Sequence, residues 1–222
     1  MILFRDDRVV VVDKPAGLAS HRGWSGDDDA LLQRVRDEVG AWVYLIHRLD
    51  RGASGTVLFA LDRDTARVLS EAWGEVDKRY LAITRGHPPE HAVIDHPIPK
   101  EPGGERVPAT TEIWRRDTFG RYAVVEAAPR TGRLHQIRRH LKHLSCPLIG
   151  DVKYGKGEHN RVFRDRHGLH RLALHARLLA FDHPTTGARI VVEAPLPADL
   201  AGAIASAKAA YALDPDAGEE RG

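Results

Sequence analysis

His47-Arg48-Leu49-Asp50-Arg51-Gly52-Ala53-Ser54-Gly55 concentrates more reactive chemistry than any other stretch of this 222-residue chain. Asp50 is a single carboxylate set between two arginines, with glycines behind it and the apolar run Thr56-Val57-Leu58-Phe59-Ala60 following. Flanking guanidinium groups favour the ionised form of a carboxylate, and glycines permit tight turns and close ligand approach. An anionic oxygen on a turn beside cations suits a nucleophile facing a polyanionic substrate. A surface aspartate in a salt-bridged turn fits the same segment equally well.

Thr131-Gly132-Arg133-Leu134-His135-Gln136-Ile137-Arg138-Arg139-His140 is the second such stretch. Gly132 allows a sharp entry, and Arg133 falls near a helix N-terminus, where unpaired backbone amides attract anions. Arg133 could pair there with a carboxylate such as Asp50 or with a phosphate; a solvated basic helix face is the competing reading. Tyr80, after Lys78-Arg79, has the side chain of a packed strand residue. Its hydroxyl can handle a proton only beside a nucleophile and a base.

The 13 histidines invite a metal reading. His135 and His140 are five apart, however, off the spacing that puts two ligands on one helical face, and no His-Glu-x-x-His pattern occurs. Gly150-Asp151-Val152-Lys153-Tyr154-Gly155-Lys156-Gly157 lacks the Gly-Lys-Ser/Thr of a nucleotide phosphate loop. It reads instead as a flexible basic loop. The serines lack a Gly-x-Ser-x-Gly elbow.

These residues need a scaffold, and the chain is long enough for one substantial domain or two small ones. No apolar run approaches the roughly 18 residues of a membrane helix, and the N-terminus lacks the basic and apolar regions of a secretory signal. Cys146 is the only cysteine, so an intramolecular disulfide is impossible; a reducing cytoplasm fits. With 33 Lys+Arg against 31 Asp+Glu the net charge is only +2, so distribution matters more than balance. Basic residues crowd Arg130 to Arg177, while acids gather in Asp27-Asp28-Asp29 and from Asp214 to Glu220. One positive face is expected.

Alternation and turn signals predict strands over Ile2–Phe4, Val9–Val12, Thr56–Leu61, Tyr80–Thr84, Thr110–Arg115, Tyr122–Ala127, Leu172–Phe181 and Ala188–Glu193. Helical spacing marks Leu31 to Val39, Thr65 to Trp73 with Asp62 or Asp64 as cap, the stripe Leu134, Ile137, Leu141 and Leu144, and Ala201–Ala212. Four prolines and paired glycines make Asp95 to Pro108 a loop or irregular ribbon. Sequential strand pairs with irregularly interspersed helices predict an α+β fold with a mixed, largely antiparallel central sheet. Residues 1–212 are expected to form one catalytic domain and 213–222 a polar, frayed tail.

Taken together, the motifs resemble the RNA pseudouridine synthases that carry an Arg-Leu-Asp motif and modify ribosomal and transfer RNA. The resemblance runs from about Val9 to Pro195: Val12-Asp13-Lys14-Pro15-Ala16-Gly17 and His21, His47-Arg48-Leu49-Asp50, Ser54-Gly55, Lys78-Arg79-Tyr80, Gly132 to His140, Pro147-Leu148-Ile149-Gly150-Asp151 and Leu174-His175-Ala176. Ala53 stands where the family often has Thr. The pattern begins almost at residue 1, as in short members without a separate N-terminal RNA-binding module. His21-Arg22-Gly23-Trp24, Gly150 to Arg161 and Gly168 to Leu172 look most like the synthases for position 65 of transfer RNA.

What the resemblance implies is a cofactor-free, metal-free isomerisation of uridine. Asp50 would be the nucleophile, Tyr80 would lie against the uracil as candidate base, Arg133 would pair with Asp50, and Arg48 would fill the gap left by the extruded base. His47, Arg51, Gln136, Arg138, Arg139, Lys142, Lys153 and Lys156 would contact RNA, mainly its phosphates. The implied partner is RNA, transfer RNA before ribosomal RNA, handled by a cytoplasmic monomer away from membranes. A non-catalytic RNA binder using the same basic face, and a metal-dependent RNA hydrolase, are the competing classes.

Overall fold

The computed structural model describes residues 1–21, 29–100 and 103–213. The Arg22-Gly23-Trp24 motif, Asp27, Asp28 and the tail from Asp214 lie outside the described residues. In chain order the elements are β1 (Ile2–Arg5), β2 (Val9–Lys14), α1 (Leu31–Val39), β3 (Tyr44–Leu45), β4 (Ser54–Ala60), α2 (Arg63–Glu71), β5 (Asp77–Arg85), β6 (His91–Asp95), β7 (Ile98–Pro99), β8 (Arg106–Val107), β9 (Thr110–Phe119), β10 (Tyr122–Pro129), α3 (Gln136–His143), α4 (Gly157–His167), β11 (Leu174–Asp182), β12 (Arg189–Glu193) and α5 (Ala198–Leu213). The architecture is the expected α+β class, with mixed and largely antiparallel pairing.

Contacts cluster in two compact units. The first comprises Met1–Arg79 and His175–Pro195, the second Tyr80–Leu174 and Leu196 onward. In the first, the strand order is β1-β2-β4-β11, with β3 on β4 and β12 on β11. All seven β4 residues are buried, so side chains on both faces of the strand are covered, which is why it reads as a continuous apolar run rather than an alternating one. Val9, Val11, Leu58, Leu69, Leu179 and Phe181 build the core around it. Asp62, not Asp64, caps α2: its Oδ1 accepts from Thr65 N at 2.8 Å and its Oδ2 from Thr65 Oγ1 at 2.7 Å.

Gly55 explains why a glycine follows the Asp50 turn. It lies opposite Lys14 of β2 and Ala176 of the parallel strand β11. Its φ is +112°, and a Cβ there would sit 2.1 Å from the Ala176 carbonyl oxygen. Gly55→Ala is therefore expected to cost about 3 kcal/mol or more. Gly40→Ala, at φ +73° with nothing within 4 Å, should cost only about 1 kcal/mol by thermal unfolding.

In the second unit the order is β5-β10-β9-β6, with the separate hairpin β7-β8. That hairpin replaces part of the irregular ribbon expected from Asp95 to Pro108, and β6 precedes it. A core of Ile83, Tyr122, Phe163, Ala203, Ala207 and Tyr211 joins the strands to α4 and α5. α4 is not foreshadowed by apolar spacing, because two of its three buried positions, His159, Phe163 and His167, are histidines. His159 Nδ1 shares a 2.9 Å hydrogen bond with the Tyr122 hydroxyl, and His167 Nδ1 a 3.0 Å bond with Ser206. Burial pushes the pKa of both imidazoles down. They serve as polar core residues. Among the described residues no three His, Cys, Asp or Glu side chains gather as a cation would need, and no helix is long and apolar enough to cross a membrane.

Candidate active site

In the first unit, Asp50 sits on a turn closed by Ala53 N donating to the Asp50 carbonyl at 3.0 Å. The turn is held from several sides. Lys14, wholly buried, donates from Nζ to the carbonyls of Pro15 (2.9 Å), Leu18 (2.8 Å) and Arg51 (3.2 Å). Gly17 N donates to the Arg51 carbonyl at 2.8 Å, and Arg51 Nε returns a 2.9 Å bond to the Gly17 carbonyl. On the other side the Ser20 hydroxyl donates to the Leu49 carbonyl at 2.9 Å and accepts from Leu49 N at 3.1 Å. Just past the turn, Ser54 Oγ and His175 Nδ1 lie 2.9 Å apart in the interior. Buried ammonium-to-carbonyl bonds of this kind are charge-assisted and strong, so the backbone at Asp50 is fixed while its side chain stays partly exposed. Fixed geometry is what a nucleophile needs.

Lys14 has a structural role that its motif does not announce. Its signal is a lysine that ends a strand after four valines and Asp13, immediately before Pro-Ala-Gly. His47 needs correction as an RNA contact. Its ring stacks on Trp73 with centroids 4.4 Å apart, and its Nε2 accepts from Leu58 N at 3.1 Å. Burial, helped by the charge of Lys78, pushes its pKa down to about 3, so the neutral ring anchors the chain entering the turn. Arg48 is exposed, with Nη1 3.4 Å from His21 Nε2. That leaves a planar cation beside the catalytic candidate.

In the second unit, Tyr80 lies in β5 opposite Ala127 of β10 and is partly buried. Arg133 is exposed and precedes α3, which begins only at Gln136 because His135 takes a left-handed φ of 55°. Its Nε donates to the Pro108 carbonyl at 3.2 Å. Gln136, 4% exposed, is occupied internally: Oε1 accepts from Thr131 Oγ1 (2.7 Å) and Arg133 N (3.0 Å), while Nε2 donates to the Thr110 carbonyl and Thr111 Oγ1, both at 2.9 Å. It shapes the Arg133 loop rather than meeting RNA.

Arg138 is the clearest correction. It is 8% exposed and forms a fork with Asp151, Nε to Oδ2 at 2.7 Å and Nη2 to Oδ1 at 2.8 Å. Burial alone would raise the Asp151 pKa, but Arg138 and the backbone amides of Tyr154 and Lys153 outweigh it and hold the carboxyl low. This pair ties α3 to the Gly150–Gly157 loop and leaves no fork for phosphate. Arg139 is partly buried too, donating to Tyr154 Oη (3.0 Å) and the Pro99 carbonyl (2.7 Å). Tyr154, unassigned from sequence, proves central. Cationic groups of Arg138, Arg139, Lys142 and Lys153 lie 5.1, 5.8, 6.0 and 5.7 Å from its ring centroid. The ring offsets part of their mutual repulsion, and Lys142, Lys153 and Lys156 remain exposed.

A braced turn presenting a carboxylate in one unit, and a basic face around α3 in the other, fit an enzyme acting on nucleic acid. The family described as RNA pseudouridylate synthase matches residues 8–143. The protein named tRNA pseudouridine synthase C of Haemophilus ducreyi is 40% identical over 217 residues, covering 87% of this chain and 89% of that protein. Its namesake in Salmonella typhimurium is 38% identical over 220 residues, covering 88% and 85%. Among solved structures, human RNA Pseudouridylate Synthase Domain Containing 4 superposes with a TM-score of 0.76 at 29% identity, covering 92% of each chain. The chain belongs to the RNA pseudouridylate synthase family.

Proposed function

We propose that this protein converts one uridine of transfer RNA to pseudouridine, at a site of the position-65 type, with Asp50 as nucleophile. The observation that carries the reading is the rigidly held turn presenting Asp50 in a chain of this family. The substrate follows from the relatives named for transfer RNA, two of which are 40% and 38% identical over nearly their whole lengths.

The chemistry balances without a redox group or cofactor. The bond from the ribose carbon to uracil N1 breaks, the freed base turns, and a bond from that carbon to C5 forms. C5 loses a proton and N1 gains one, so the product is an isomer. Asp50 forms a transient bond with the nucleotide and keeps the separated pieces in one site. Tyr80 receives the C5 proton directly or through water, and Arg133 orients the carboxylate. Extruding the uridine costs a few kcal/mol of stacking, which Arg48 offsets by placing a planar guanidinium in the gap. Lys142, Lys153 and Lys156 hold phosphates, as does Arg139 with whatever donors its internal bonds leave. The whole proceeds in the cytoplasm on a monomer.

Incubating the purified protein with unmodified transfer RNA and ribosomal RNA, then mapping pseudouridines, tests the assignment. Conversion of a single uridine near the acceptor stem of transfer RNA is expected. Conversion confined to ribosomal RNA would overturn the substrate, and none in either would overturn the reaction.

A further inference from the structure

The second unit holds a buried relay of hydrogen bonds to which the isomerisation described above gives no part. Thr111 and His140, both wholly buried, are its middle members. His140 Nε2 lies 2.9 Å from the His96 carbonyl, which can only accept, so Nε2 carries a proton. Burial pushes the His140 pKa down. The neutral ring leaves Nδ1 as an acceptor, 2.8 Å from Thr111 Oγ1. The Thr111 hydroxyl donates there and accepts from Gln136 Nε2 at 2.9 Å. Gln136 Oε1 in turn accepts from Arg133 N at 3.0 Å. Each donor in the relay meets an acceptor, so reversing one bond would leave a buried group unpaired.

Both ends of the relay meet the hairpin β7–β8. His96 lies two residues before β7, and Pro108 directly follows β8. The Arg133 side chain reaches that exit, with Nε donating to the Pro108 carbonyl at 3.2 Å. Three further contacts seat the hairpin. The His96 and His143 rings stack with centroids 3.8 Å apart and planes 17° from parallel. Arg139 Nη1 donates to the Pro99 carbonyl at 2.7 Å, and Arg106 Nη2 to His96 Nε2 at 2.7 Å. A guanidinium group is planar and rigid, so holding Nε against Pro108 fixes where the rest of the Arg133 fork points. The aim of that fork therefore depends on where the hairpin sits.

We propose that Thr111 and His140 are positioning residues, whose relay couples the seat of hairpin β7–β8 to the orientation of Arg133. The hairpin carries the exposed cations Lys100 and Arg106, so RNA phosphates that settle on it steady Arg133 as well. The coupling stands on the hydrogen bonds alone. Only its catalytic consequence rests on the role proposed for Arg133.

Thr111→Val keeps a β-branched strand residue but removes the hydroxyl, whereas Thr111→Ser keeps the hydroxyl. Amide hydrogen exchange of the full chain is followed by NMR, beside kcat and KM on unmodified transfer RNA. In Thr111→Val the Arg133 and Lys100 amides are expected to exchange several-fold faster, while the Ala53 amide of the Asp50 turn is unchanged. The kcat should fall about 10- to 100-fold with KM within about twofold of wild type, and Thr111→Ser should restore it. In an Arg133→Ala background Thr111→Val should cost nothing further, because the hydroxyl acts through Arg133. Wild-type exchange at Arg133 in Thr111→Val overturns the coupling. A full additional loss of kcat in the Arg133→Ala background makes the hydroxyl merely structural and overturns the positioning role. Arg133→Ala with wild-type kcat would instead overturn the role given to Arg133 under the proposed function, and the exchange rates would still decide the coupling. If Thr111→Val fails to fold, Arg106→Gln takes its place, since Arg106 is exposed and outside the relay. Loosening the hairpin there should speed exchange of the Arg133 amide, and an unchanged rate overturns the proposal.

Discussion

Asp50→Asn is expected to lower pseudouridine formation by about 10⁴-fold or more, while transfer RNA affinity stays within about threefold of wild type. The substitution is nearly isosteric and removes the anion, the one property the proposed covalent step cannot do without. Losses of that size are typical when a nucleophile is removed. Affinity should survive because the phosphate contacts come from cations such as Lys142, Lys153 and Lys156. The turn should survive as well. Its bonds run through backbone groups at Gly17, Leu49 and Arg51 and through the side chains of Lys14, Ser20 and Arg51. Single-turnover kinetics beside a filter-binding titration separates the two quantities. A variant that turns over like wild type would make Asp50 a structural residue and favour a different nucleophile.

The second large effect concerns stability. Arg138→Met leaves Asp151 buried without its fork, and breaking one partner of a buried pair costs about 3–5 kcal/mol. For a chain of this length that corresponds to a fall in Tm of roughly 6–20 °C. The dependence on pH has a definite sign. The folded Asp151 carboxyl is held below its ordinary range, so the pair's contribution is present above the unfolded carboxylate pKa of about 3.9 and is lost as pH falls through the folded value. Wild type should lose this part of its stability on the acid side, and Arg138→Met should lack that part of the acid dependence. Lys142→Ala, Lys153→Ala and Lys156→Ala should do the reverse. Their Tm stays near wild type, and each lowers the salt slope of RNA binding by up to about one. If Arg138→Met instead keeps wild-type stability and weakens RNA binding, the fork with Asp151 is not its role.

Much of this was legible in the chain, for identifiable reasons. The run after Asp50 has few polar interruptions, and a strand covered on both faces reads that way, so β4 and the turn before it emerge from sequence. Asp62 precedes α2 with a threonine three residues on, a local signature that the Asp62–Thr65 bonds realise. α4 escapes because its core face is carried by His159 and His167, which no apolar periodicity detects. The stripe beginning at Leu134 suggested an earlier helix start; the left-handed backbone at His135 delays it, and Leu134 remains exposed.

The site errors share a cause. Arginine on a helix reads as solvent-facing, yet Arg138 turns inward because Asp151, 13 residues away, meets it there. His47 reads as a motif residue at a substrate site, yet Trp73 and the Leu58 amide claim its ring. Local spacing cannot report partners brought in by the fold. The same holds for Lys14, whose three carbonyl acceptors include Arg51, 37 residues away.

The most direct test is a structure of the Asp50→Asn protein bound to its transfer RNA. The target uridine is expected out of the RNA stack, with the side chain at position 50 within about 3.5 Å of the ribose carbon or the pyrimidine ring it attacks. The Tyr80 ring should lie against the base and the Arg48 guanidinium should fill the vacated gap. A uridine still stacked in the RNA helix, or extruded to a place remote from position 50, would contradict the account.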